Sequence, residues 1–163
     1  MSMIGNFFAI DEESAKRLMS APDSISGFLY SEESPIEDSE YYLDIDKSWH
    51  GIHFILTNDV WEGEAPACYV VLGGVPVGDD VGYGPARFLD VDNVKAIDGY
   101  LSGVDSTFIQ ENYNAERLEK KEIYPNGWGE AEDVEYLTGY FEELKKFYSK
   151  AANESKVVIQ YLN

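Results

Sequence analysis

Cysteine occurs once in this chain of 163 residues, at Cys68. A single thiol closes no internal disulfide and cannot supply a multi-cysteine structural zinc site. It lies in the apolar run Ala67-Cys-Tyr-Val-Val-Leu72 and reads there as a small buried hydrophobe. Positive charge is equally scarce: 12 Lys and Arg stand against 31 Asp and Glu, a formal net charge of −19. Such a chain repels phosphate backbones and anionic headgroups, so neither nucleic acid nor a membrane is expected as a partner. A basic protein would be attracted to it, and a cationic ligand could be steered. No apolar run approaches the roughly 18 residues of a membrane span. The opening Met1-Ser-Met-Ile-Gly-Asn-Phe-Phe8 lacks the basic region and long apolar stretch of a secretory signal, which makes a cytoplasmic setting the expectation. Also missing are a phosphate-binding loop, a dinucleotide fingerprint, a nucleophile elbow and a two-histidine zinc pattern, so no cofactor is expected.

What is present suffices for a folded domain. Hydrophobic residues make up 44% of the chain and include 12 Tyr, 8 Phe and 3 Trp. A chain of this length buries about 70% of the surface it exposes when unfolded, and it is expected to form one domain, residues 1–163, without metal or disulfide. Residues 3–10 read as a strand, with the adjacent Phe7 and Phe8 implying burial on both faces. Asp11, Asp90, Asp105 and Asn114 are placed to cap helices. Residues 31–46 are acidic, contain Pro35 and lack periodicity, which predicts an exposed loop. Residues 67–72, β-branched and aromatic between Pro66 and Gly73-Gly74, predict a central strand. The run from Pro76 to Arg87, rich in Gly and Pro, predicts a shaped loop. Val134, Leu137, Phe141, Leu144, Tyr148 and Ala151 recur at helical spacing and predict a long helix over 131–152, followed by a final strand at 156–162. The fold class expected is α+β: a small mixed sheet of the first, central and last strands, covered by helices.

The segment Asp44-Ile-Asp-Lys-Ser-Trp-His-Gly-Ile-His-Phe-Ile-Leu56 organises the functional reading, because it holds both histidines of the chain. Asp46 is placed to cap a helix running from about Lys47 to Asn58. At about 100° per residue, Trp49, Ile52, Ile55 and Leu56 share an apolar face, while His50 and His53 neighbour each other at its edge. That edge position fits either pocket-lining imidazoles or imidazoles bonded to backbone carbonyls. Asp46, His50 and His53 would offer three metal ligands from one face, but the cap role claims Asp46 and no metal is expected. In Gly82-Tyr-Gly-Pro-Ala-Arg87 the glycines expose backbone amides, Tyr83 can stack or donate, and Arg87 is a fork for a carboxylate or phosphate. The competing reading of Arg87 is an internal salt bridge to Asp79 or Asp80.

Several of these stretches resemble the YfbM-like family of small bacterial proteins, a domain of unknown function. The resemblance rests on Met3-Ile-Gly5, on Leu43-Asp-Ile-Asp-Lys-Ser-Trp-His-Gly-Ile-His-Phe54 and on Gly73-Gly74. It also rests on Gly82-Tyr-Gly-Pro-Ala-Arg-Phe-Leu89 and Ile123-Tyr-Pro125. The match runs in order over nearly the whole chain. It implies a compact α/β domain in the bacterial cytosol and assigns no reaction. Two functional readings follow from the residues themselves. One is a non-catalytic binding or interaction protein, of inhibitor or immunity type, whose acidic surface meets a basic partner. The other is a small-molecule-binding domain or enzyme with a pocket between the His50/His53 helix and the Tyr83–Arg87 loop, a histidine serving as acid–base group and Arg87 as anion anchor.

Overall fold

A computed structural model describes residues 1–163. Five strands form one sheet in the order β2-β1-β5-β4-β3. They are β1 (Gly5–Ile10), β2 (Tyr42–Asp44), β3 (Val75–Asp80), β4 (Pro85–Leu89) and β5 (Val157–Leu162). All four neighbouring pairs are antiparallel, so the sheet is not mixed. The reason is connectivity: β3 and β4 form a hairpin, and β5 enters between β1 and β4 running opposite to both.

Alternation along the central strands sorts their side chains into two cores. Phe7, Ala9, Leu89 and Val158 face one side, where they meet α3 (Trp49–Thr57), α4 (Tyr69–Leu72), α5 (Val91–Leu101) and α8 (Asp133–Asn153). Phe8, Ile10, Phe88, Val157 and Ile159 face the other, under α1 (Glu12–Ser20) and α2 (Ile25–Leu29). Every residue of β1 is buried, as the adjacent phenylalanines predicted. Two short helices, α6 (Ser106–Asn112) and α7 (Ala115–Lys120), complete the α8 side.

The local start signals hold. The side chains of Asp11, Asp90, Asp105 and Asn114 accept from the backbone amides of Ser14, Asn93, Phe108 and Arg117, each three residues on. On α8 the residues Leu137, Phe141, Leu144, Tyr148 and Ala151 are buried, the stripe expected from their spacing. Asp46 departs from expectation. Its backbone is left-handed (φ 50°), and its carboxylate accepts from the Tyr136 hydroxyl at 2.8 Å instead of capping α3. Residues 46–48 form a 3₁₀ turn, and α3 itself starts at Trp49 without a side-chain cap.

The two Gly- and Pro-flanked predictions exchange character. Residues 69–72 are helical, not a strand, because Gln160 provides the hydrogen bonds a ladder would have given. Its amide nitrogen donates to the carbonyls of Tyr69 (2.8 Å) and Val70 (2.9 Å), and its oxygen accepts from the Gly73 amide (2.8 Å). Strand propensity yields here to tertiary partners. The Pro76–Arg87 run, in contrast, is the β3–β4 hairpin. Pro76 sits on the edge strand, Gly78 takes a positive φ of 81° at the bulge, and the Asp80 carboxylate closes the turn on the Gly82 (2.6 Å) and Gly84 (3.2 Å) amides.

Candidate functional site

Both histidines are buried, at 1% exposure for His50 and 0% for His53. They are neighbours on α3, yet their surroundings differ completely. His50 Nδ1 accepts from the Tyr124 amide (3.0 Å), which leaves the ring proton on Nε2, and Nε2 donates to the Val60 carbonyl at 2.9 Å. A second proton on Nδ1 would face an N–H. Burial presses the His50 pKa down, opposed by the Val60 carbonyl, so the ring is a neutral tie between α3 and two loops. It has no free lone pair with which to take a proton.

Neither nitrogen of His53 makes a hydrogen bond of ordinary length and angle, although the Glu62 backbone lies near enough to favour the charged ring slightly. Burial chiefly lowers its pKa to about 4, with the Arg87 charge acting in the same direction and the Glu62 backbone and the Asp59 carboxylate opposing it. The ring is neutral at pH 7. No group of three or more His, Cys, Asp or Glu side chains is arranged to hold a metal ion.

The Tyr83–Arg87 part of the prediction lies in a cleft of about 280 Å³ bordered by Trp61, Leu72, Tyr83, Pro85, Arg87 and Leu162. Tyr83 is positioned by the hairpin turn, its amide donating to the Leu162 carbonyl (3.0 Å), and its ring is 38% exposed. Arg87 projects from β4, where it is registered opposite Gln160 on one side and Pro76 on the other. Its guanidinium makes no ion pair: the three ion pairs of the protein join Arg17 to Glu13, Lys146 to Glu143 and Lys150 to Glu40. The internal salt bridge to Asp79 or Asp80 is therefore absent, because Asp80 is committed to the turn amides. Arg87 is partly buried, which lowers its pKa from the ordinary arginine value while leaving it charged at neutral pH.

Of the four side chains expected to share a pocket, two do. Tyr83 and Arg87 line the cleft; His50 stands behind Trp61, and His53 is enclosed. Sequence reasoning missed Trp61 as a cleft residue. It follows the Asx turn in which the Asp59 carboxylate accepts from the Trp61 (3.0 Å) and Glu62 (2.8 Å) amides, and its ring stacks on His50 at a centroid distance of 4.5 Å. The one sequence signal for it was a large aromatic in an otherwise acidic, glycine-bearing segment.

The chain belongs to a family described as a domain of unknown function, DUF1877, whose model matches residues 1–161. It is similar to YfbM from Escherichia coli, a protein of unknown function whose crystal structure aligns with a TM-score of 0.75 at 24% identity, covering 98% of this chain and 99% of that one. At that identity the likeness establishes the shared fold. The YfbM-like resemblance read from the sequence is thus established. No functionally curated protein matches the chain, and no helix is long and apolar enough to cross a membrane.

Proposed function

We propose that this protein is a non-catalytic binding domain that captures a small anion in the Arg87 cleft. One observation carries the reading: a partly buried guanidinium has no acceptor in a chain with 31 carboxylates. A guanidinium offers five N–H donors, and here none is spent on the protein while all stay open to solvent or to an oxyanion ligand. The chemistry of a base is lacking beside it, since His50 spends both nitrogens on backbone groups and His53 is sealed. A thermal-shift panel of small carboxylates and phosphates tests the reading. Stabilisation of the wild type should grow with ligand concentration and vanish in Arg87→Met. Ligands that stabilise both proteins equally would remove Arg87 from the site.

A second reading, a basic protein partner, is supported by the disposition of the acids. None of the 31 Asp and Glu side chains is buried, and only Glu13, Glu40 and Glu143 are ion-paired. Neutralising Glu32, Glu33, Glu37 and Asp38 together should weaken binding of an oligolysine peptide and flatten its salt dependence. Unchanged binding would rule out this loop as the partner surface.

A further inference from the structure

We infer that the ligand of the Arg87 cleft is a flat, ring-bearing acid, its aromatic ring laid on Trp61 and its carboxylate or phosphate held by Arg87. This rests on the reading of the cleft as an anion site and narrows its ligand class. The support is a cluster of packed rings whose exposed member borders the cleft. Trp49 and His50 stack at 4.8 Å with planes 9° apart, and Trp61 packs on both, at 4.5 Å and 28° to His50 and at 6.3 Å and 35° to Trp49. Tyr124 also stacks on Trp49, at 5.7 Å. The inner rings are shut away from solvent, Trp49 at 0% and His50 at 1% exposure, whereas Trp61 is 58% exposed and borders the cleft. Trp61 is therefore the one ring of the cluster that offers surface to the cleft.

That platform is fixed before any ligand arrives. His50 is tied through both nitrogens, Trp49 Nε1 donates to the Met3 carbonyl at 3.0 Å, and the Trp61 backbone is pinned by Asp59. A pre-ordered indole costs little entropy on binding, and a further aromatic layer gains stacking beyond its buried area. Arg87 lines the same cleft and offers a planar fork suited to bidentate contact with an oxyanion. A volume of about 280 Å³ is enough for one ring or two fused rings beside the guanidinium. In this arrangement His50 is a positioning residue: it holds Trp61 and does not touch the ligand.

The test is binding of benzoate and its size-matched aliphatic counterpart, cyclohexanecarboxylate, to the full chain, followed by ligand-detected NMR. Phenyl phosphate in parallel separates the two anionic groups. Benzoate or phenyl phosphate should bind about fivefold or more tightly than cyclohexanecarboxylate, the margin expected of an aromatic pair. Trp61→Leu should erase that margin while leaving weak binding of all the acids, and Trp61→Phe should restore most of it. Arg87→Met should abolish binding of every probe, with thermal melts verifying that each variant is folded. Equal binding of the aromatic and aliphatic acids, still dependent on Arg87, overturns the ring inference and leaves the anion site standing. Binding indifferent to Arg87→Met, or no binding by any probe at millimolar concentration, overturns both.

Discussion

His50 and His53 occupy the same helix one turn apart and are equally hidden from solvent, yet they are opposites. His50 is bonded at both nitrogens to the backbones of two separate loops, while His53 is bonded at neither. Burial alone therefore says little about what a histidine does. The hydrogen-bond inventory separates a ring that ties two loops together from one that is enclosed without a strong partner.

The sharpest way to break this comparison is to replace each ring with leucine. His50→Leu orphans the Tyr124 amide and the Val60 carbonyl and removes the ring on which both Trp49 and Trp61 stack. At about 1–3 kcal/mol for each orphaned buried group it should cost roughly 3–5 kcal/mol in urea unfolding at pH 7. A cost below about 1 kcal/mol would mean that the two loops do not depend on it.

Acid comes next in size. The folded pKa of His53, about 4, lies below the ordinary value of 6.5. The unfolded chain therefore binds the proton first. Stability from the neutral ring is complete above pH 6.5, falls as pH drops from 6.5 towards 4, and falls no further below that. The span corresponds to at most about 3 kcal/mol. His53→Leu should remove this component, so the stability difference between wild type and variant should widen over that window. His50, shifted in the same direction, remains in both proteins and cancels. A difference constant from pH 7 to pH 4 would contradict the sealed, neutral ring.

At pH 7 itself His53→Leu should be neutral or stabilising by about 1–2 kcal/mol, because it removes two unpaired polar atoms from an apolar setting. The smallest effect belongs to Arg87→Met. With no bond or ion pair to lose, stability should stay within about 0.5 kcal/mol of wild type, although ligand capture disappears. A large destabilisation would make Arg87 a structural residue like His50 and withdraw it from the site.

How far the sequence could be read depended on the distance between partners. Asp11, Asp90, Asp105 and Asn114 act on amides three residues away, and their helices were legible. Asp46 has the same chemistry, but its partner is the hydroxyl of Tyr136, 90 residues on, so the cap prediction failed. Residues 69–72 carry strand-forming side chains and form a helix because Gln160, about as distant, captures their carbonyls. The candidate site was half legible for the same reason. Tyr83 and Arg87 are brought together by a hairpin within their own segment, whereas Trp61 reaches the cleft by stacking on a helix. That Arg87 is unpaired could not be read at all, because it depends on how Asp80 is spent.

Gln160 has a further consequence. It stands on the strand shared by β1 and β4, and its neighbours Ile159 and Tyr161 point into the opposite core. A slip of β5 by one residue would turn the amide into that apolar core and strip α4 of its acceptor and donors. Gln160 thus works as a registration key: a single polar tooth admits one alignment of the central strand and rejects the adjacent ones, at the expense of any freedom for this position to drift to an apolar residue.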